Sequence, residues 1–366
     1  MVSLRKFCVF CGKNPVSKNK EHILPKWLIE LTGDKNRNTT VLIDKNDFSP
    51  IQHSFSAFTF PACEGCNSDF SFLENEAKRI LLKFFQDEPV TEEEISLFLD
   101  WMDKVRVGLW LADIVRNSKQ NSVDPNFYIS DRVGQGDRAI HILRCGDGSE
   151  GLGYTGVSTL AFHLSPSCFA LSINSLSFIN ISSQNLFSHN LQFPIFKNRY
   201  LKEFTGLVGG DFSRARSKVS LPIMPPLIGL DCLSLFQPVI SSELANEPKY
   251  LNLFQTGFLE KNILSCGRRG RIYLRSGNCF EDVRGHPKKL GTSLLAPYDR
   301  ETVSAWLGYN VLKLQLKLIA MSPRYDHFSD ENREYVESQI KYSKKINGLV
   351  MNDLRKKLKI VGVKVL

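Results

Sequence analysis

The stretch "CVFCGKNPVSKNKEHILPKWL", residues 8–28, decides how this chain is read. It places a Cys pair, Cys8 and Cys11, ahead of an adjacent acid and imidazole, Glu21 and His22, and then Ile-Leu-Pro. A metal staple accounts for the cysteines but has no use for Glu21 or His22. A second pair, Cys63 and Cys66 in "CEGCN", is separated from the first by 51 residues and runs straight into an amphipathic segment. Two C-x-x-C knuckles can give four thiolates to one tetrahedral zinc, and a site filled by four sulfurs is structural because no coordination position stays open. The total of nine cysteines is odd and argues against a secreted disulfide scaffold. The other five (Cys145, Cys168, Cys232, Cys266 and Cys279) stand singly and read as small buried hydrophobes.

What the staple would hold explains the opening stretch. The first knuckle leads to Glu21-His22, and the second leads to a helix expected to begin at Asn67 and run to about Phe85. Carboxylate and amide oxygens are hard ligands suited to Mg²⁺, and a neutral imidazole can take a proton from an attacking water. That combination suits metal-assisted phosphodiester hydrolysis, in which the ion stabilises charge on phosphorus and the leaving oxygen. Adjacent residues on a regular strand face opposite sides, so Glu21 and His22 can serve one phosphate only at a strand end or a distortion.

The pattern Cys8-x-x-Cys11, Glu21-His22-Ile23-x-Pro25, Cys63-x-x-Cys66-Asn67 resembles the HNH nucleases of the ββα-metal fold. The zinc-stapled branch that includes phage recombination endonuclease VII is the most similar. The resemblance spans about residues 5–85. It implies that Glu21 and Asn67 ligate a catalytic Mg²⁺ or Mn²⁺, that His22 is the general base, and that the four cysteines bind structural Zn²⁺. It also implies a nucleic-acid substrate, DNA by default, and a setting of defence against phage or mobile DNA. This sequence has Glu at position 21 where Asp is commoner in the family, and a longer insert between His22 and Cys63. The competing expectation is a non-catalytic zinc module that binds nucleic acid or protein. Such a module needs the cysteines but not the acid, the base and the amide.

Around this core the expected fold class is α+β. A zinc-stapled ββα domain over residues 1–88 precedes a helical connector over 89–126, a β-rich middle domain over 127–299 and a helical, basic segment over 300–366. A helix is expected at 25–32, strands at 39–43 and 51–60, and a long helix at 92–117, where apolar residues recur at helical spacing. Short β-like runs separated by Gly, Ser and Asn fill the middle, "DRVGQGDR" (131–138) reads as a turn, and helices return at 300–321 and 329–358.

Charge adds candidate partners. Residues 1–90 are nearly neutral, with 12 Lys/Arg against 11 Asp/Glu, whereas residues 339–366 carry 8 Lys/Arg against Asp353 alone. Such a segment suits a polyanion. Lys18, Lys20 and Lys26 flank the acid–imidazole pair, and Arg268, Arg269, Arg271 and Arg275 surround Tyr273 in "CGRRGRIYLRSGN"; all seven are candidate nucleic-acid contacts. Glu74, two helical turns after Asn67, and His53, in the hairpin, are candidate supporting residues. A homodimer or a regulatory partner is expected for two-strand cleavage. No run reaches the length of a membrane span and the N-terminus has too short an apolar run for a signal peptide, so the expectation is a cytoplasmic protein with no membrane partner.

Overall fold

The computed structural model describes residues 7–15, 19–43, 50–55, 59–116, 127–145, 148, 150–157, 167–183, 195–201, 208–213, 233–241, 261–264, 270–276, 279–284, 287–290, 294–295, 298–320, 326 and 328–363. Its first elements are β1 (Asn19–His22), α1 (Lys26–Leu31), the hairpin β2 (Asn38–Ile43) and β3 (Pro50–Ser54), β4 (Thr59–Ala62) and α2 (Glu64–Gln86). β1 pairs antiparallel with β4, which places Glu21 opposite Phe60 and His22 opposite Thr59. Two strands and the helix that follows them thus form a ββα unit, with β2 and β3 inserted as a separate pair.

The expected single strand over 51–60 is a correction. Pro50–Ser54 pairs with β2, while Thr59–Ala62 leaves the hairpin to pair with β1. α2 also opens earlier than expected. Cys63, with extended backbone, is its N-cap and Glu64 its first residue, so Cys66 and Asn67 lie within the first turn. Pro25 caps α1 in the same way, because its fixed φ suits an entry position and it has no N–H to leave unpaired.

α3 (Glu92–Arg116) follows α2 after a short turn in which Asp87 takes a left-handed conformation. It does far more than connect. From Asp100 to Asp113 every residue is buried, and Trp101, Met102, Val105, Leu109 and Trp110 share one apolar cluster with Phe10, Ile23, Leu28, Ile80 and Phe84. At Gly108 the helix comes close enough to Ile23 that a Cβ would meet its side chain at 2.8 Å.

The middle of the chain supplies a sheet built on β5 (Asp137–Cys145), β6 (Leu152–Thr155), β7 (Ser167–Ile173) and β8 (Leu176–Ser183). A separate pair, β9 (Ile195–Leu201) with β10 (Val208–Ser213), comes next in the chain. Then follow β11 (Leu233–Gln237), the short parallel pair β12 (Ile240–Ser241) and β13 (Ile263–Leu264), β14 (Tyr273–Ser276), β15 (Cys279–Asp282) and β16 (Leu294–Leu295). The sheet order is β15-β14-β11-β5-β8-β7-β6, antiparallel along this path, and β16 runs parallel to the end of β5.

Alternation along each strand decides which face is which. Ile140, Ile142, Phe169, Leu171, Phe178 and Leu235 point to the α3 side and join its cluster. Ala139, Leu143, Cys145, Cys168, Ile179 and Phe236 point to the other side, where α4 (Arg300–Ala320) and α5 (Asp330–Ile360) cover them. The result is an α+β arrangement in which the central strands β5, β7, β8 and β11 are buried on both faces, and Cys145 and Cys168 are apolar filler as their isolation suggested. Cys232 and Cys266 lie outside the described residues, and Cys279 is placed on β15 by its backbone.

Charges bind α3 to the sheet. The fully buried Arg138 on β5 donates to Asp100 Oδ1 at 2.5 Å, Asp103 Oδ2 at 3.2 Å and Gln237 Oε1 at 3.0 Å. Asp103 also accepts from Arg106 at 2.7 Å and from the Gly134 N–H at 3.2 Å, which docks the turn at 131–138 onto the helix. Removing one partner of such a set strands the others in a dry interior. Arg138→Met should therefore cost about 3–5 kcal/mol in denaturant unfolding, whereas a neutral outcome would mean that Asp100 and Asp103 reach water.

His141 lies on the α4/α5 side of the sheet, fully buried, with Nδ1 2.7 Å from Ser234 Oγ. Burial, helped by the Arg275 charge, pushes its pKa down to about 4. The folded state therefore stays unprotonated where the unfolded chain takes up a proton. The associated stability is complete above the unfolded value of about 6.5 and is lost as pH falls towards 4, a difference of roughly 3 kcal/mol. Urea titrations across pH 7 to 4 should show this slope, and His141→Phe should flatten it.

Candidate metal centre

The cysteines of the two knuckles meet at one point. The sulfurs of Cys8, Cys11, Cys63 and Cys66 all lie within 4.8 Å of one another, and Cys11 Sγ is 3.9 Å from Cys63 Sγ. Local backbone geometry prepares this. The Gly12 N–H closes the first knuckle onto Cys8 O at 2.9 Å with φ at +71°, and a Cβ there would run into the Tyr128 ring at 2.3 Å. On the other side the N-cap position of α2 points the Cys63 N–H at Cys8 Sγ, 3.2 Å away. Further bonds hold the first knuckle in place: Val9 N–H to Pro61 O at 3.0 Å, and Ser130 N–H to Phe10 O at 2.9 Å. Phe10 stacks on Phe70 of α2 with ring centroids 4.2 Å apart.

The sulfurs differ in how readily they ionise: burial raises the Cys8 thiol, but backbone N–H groups of Cys63, Cys11 and Phe10 outweigh it and hold Cys8 below its ordinary value. Burial first, and then the neighbouring Cys11 and Cys8 sulfurs, push the Cys66 thiol up to about 12. A bound cation changes the balance by taking the place of the protons, and the donor set can hold a metal such as zinc. Elemental analysis of the purified chain should find one zinc per molecule. Cys63→Ser should lose that zinc and melt at a lower temperature; zinc retained at full occupancy in this variant would argue against a four-sulfur site.

The expected acid, imidazole and amide lie on two elements of the ββα unit, Glu21 and His22 on β1 and Asn67 on α2. Asn67 sits in the first turn of α2, its N–H bonded to Cys63 O at 2.9 Å. Its side-chain Oδ1 is buried and has no hydrogen-bond partner among the described residues. A buried carbonyl oxygen without a donor is costly unless something else satisfies it, and a hard cation is chemically suited to do so. Glu21, on β1, is 9% exposed and points inward, where Lys104 of α3 donates to its Oε1 at 2.6 Å. Lys104, fully buried, also donates to Glu74 of α2. Burial raises the Glu74 carboxyl above its ordinary value; the Lys104 ammonium opposes the rise and the Glu21 carboxylate adds to it.

His22 follows Glu21 on the strand and is half-buried. Burial first, then the nearby Lys26 charge, lower its pKa below the ordinary imidazole value, which keeps the ring neutral at pH 7. β1 ends at His22, where the chain turns through Ile23, Leu24 and Pro25 into α1.

The remaining candidates divide. Lys20 and Lys26 are exposed beside Glu21 and His22. His53 lies on β3 opposite Thr39, in the inserted hairpin. Arg271 donates to Glu92 Oε2 at 3.0 Å and so is engaged at the start of α3, whereas Arg275 is exposed on β14. Lys18, Arg268 and Arg269 lie outside the described residues. The lysines of α5 are exposed at 341, 344, 345, 356, 357 and 359, across the sheet from the cysteine cluster, and Arg355 is drawn to the Tyr309 hydroxyl at 3.2 Å.

Sequence reasoning missed Lys104, together with Asp100, Asp103 and Arg138. A signal existed. "LDWMDKVRVGLWLAD" sets five charges (Asp100, Asp103, Lys104, Arg106 and Asp113) inside a helix that is otherwise apolar all round, and such charges must find buried partners.

Comparison with protein-family models, curated proteins and solved structures finds no match to this chain. No helix among the described residues is long and apolar enough to cross a membrane.

Proposed function

We propose that this chain is a metal-dependent endonuclease of the HNH kind, which hydrolyses phosphodiester bonds in nucleic acid, DNA by preference. The observation that carries the reading is the ββα unit itself. β1 bears Glu21 and His22, its partner β4 leads into α2, and α2 presents Asn67 with an unpartnered oxygen one residue past a four-cysteine cluster. A purely structural zinc module has no need for a neutral imidazole or a buried, unsatisfied amide oxygen there.

In this reading Glu21 and Asn67 would hold Mg²⁺ or Mn²⁺, which would supply positive charge to the scissile phosphate and the leaving oxygen. His22, neutral at pH 7, accepts a proton from the attacking water as the water oxygen bonds to phosphorus. The bond from phosphorus to the leaving sugar oxygen breaks, and that oxygen takes a proton from solvent. Lys20 and Lys26 contact backbone phosphates and position the strand without reading bases. The four cysteines take no part in the chemistry, because thiolates bound to a closed zinc site are inert. The basic face of α5 supplies a second contact with the polyanion, and the setting is defence against phage or mobile DNA.

The test is nicking of supercoiled plasmid by the full chain with Mg²⁺ or Mn²⁺. Wild type should nick and EDTA should stop it. His22→Ala should lower the rate by at least about a hundredfold with zinc content unchanged, in line with the loss of a general base. Undiminished cleavage by His22→Ala would remove His22 from the mechanism. Plasmid and RNA left intact by wild type while duplex DNA is still bound would favour the non-catalytic zinc module.

A further inference from the structure

Lys104 belongs to no part of the ββα unit, yet its ammonium group lies between two of that unit's carboxylates. It comes from the middle of α3, is fully buried, and donates to Glu21 of β1 at 2.6 Å and to Glu74 of α2. Its neighbour Asp103 is bonded to Arg138 and Arg106, so the helix that delivers it is locked to the sheet. The Phe10 ring, 5.9 Å from Nζ, lies beside it. A lysine so confined has little freedom to leave, and it holds an oxygen of the very carboxylate that the nuclease reading gives to the metal.

We propose that Lys104 is a resident cation of the Glu21–Glu74 pair with which a divalent metal must compete for Glu21, so that α3 sets the metal concentration at which the site loads. This rests on the reading of Glu21 as a metal ligand. The physical argument is one of charge. An ammonium hydrogen-bonded to a ligand carboxylate neutralises part of its field and repels a doubly charged ion entering beside it, and the repulsion is strong where water is excluded. The ammonium must release Glu21, or yield one of its oxygens, as the ion arrives. Glu74 keeps the displaced ammonium paired, since a buried charge without a partner is strongly unfavourable. Lys104 is thus a positioning residue that acts through Glu21, and Glu74 is its second anchor and not a ligand.

The experiment measures Mn²⁺ binding to the zinc-loaded full chain by electron paramagnetic resonance, with plasmid nicking at several Mn²⁺ concentrations alongside. Lys104→Met should bind Mn²⁺ at least tenfold more tightly than wild type and should nick at correspondingly lower Mn²⁺. Adding Glu21→Gln to Lys104→Met should abolish that binding. Because Lys104→Met leaves two acids side by side, the double variant Lys104→Met/Glu74→Gln is measured as well; it removes one charge of each sign and should show the same tightening. Equal or weaker Mn²⁺ affinity in both Lys104 variants, with wild type still binding through Glu21, would overturn the competition and leave the nuclease reading standing. Absence of Mn²⁺ binding at Glu21 in wild type and variants alike would overturn both.

Discussion

A carboxylate, an imidazole and an amide at positions 21, 22 and 67 can act together only if two distant stretches of chain are held against one another. No local structure does this here. The four sulfurs of Cys8, Cys11, Cys63 and Cys66 come within 4.8 Å of one another, and a metal held among them would tie the two stretches together. One knuckle closes through the Gly12 N–H and the other is the N-cap of α2, so drawing the sulfurs together also fixes where β1 lies and where the helix points. The β1–β4 pairing is only four residues long, too short to hold its register unaided. The Val9–Pro61 bond and the Phe10–Phe70 stack extend the clamp into the surrounding core.

That small unit is not left to itself. Its apolar side, including Ile23, Leu28, Ala77 and Ile80, packs on α3, and α3 packs on the sheet within one continuous cluster. Expected domain limits near residue 88 therefore fall inside a shared core. The polar groups follow the same route: Glu21 and Glu74 reach Lys104, and one residue away Asp103 reaches Arg138 and, with it, Gln237 of β11. A change in the sheet that moved α3 would be felt at Glu21 through rigid, buried contacts. The α4–α5 layer packs on the face of the sheet opposite α3.

Much of this was legible in the residues. The C-x-x-C spacing and the absence of any disulfide pattern pointed to one cluster, and helical periodicity placed α2, α3, α4 and α5 to within a few residues. The strand at 51–60 was not divisible from sequence, because "IQHSFSAFTF" has one β-like character throughout and only the choice of partner splits it. The start of α2 was set three residues late because Glu64 and Gly65 read as a loop; the extended cap at Cys63 draws them into the helix.

The sequence by itself determined the sulfur cluster, the mixed α+β character and the basic C-terminal helix, since each is written in residue type and short-range spacing. Tertiary structure alone decided that α3 is the central helix, that β4 serves β1, that Arg271 is tied to Glu92, and that Lys104 sits on Glu21. The physical reason is common to all four. A charge or an edge strand can be satisfied by any suitable partner, and burial is what selects one. Between residues 21 and 104, that selection is made by how α3 packs, which spacing along the chain does not encode.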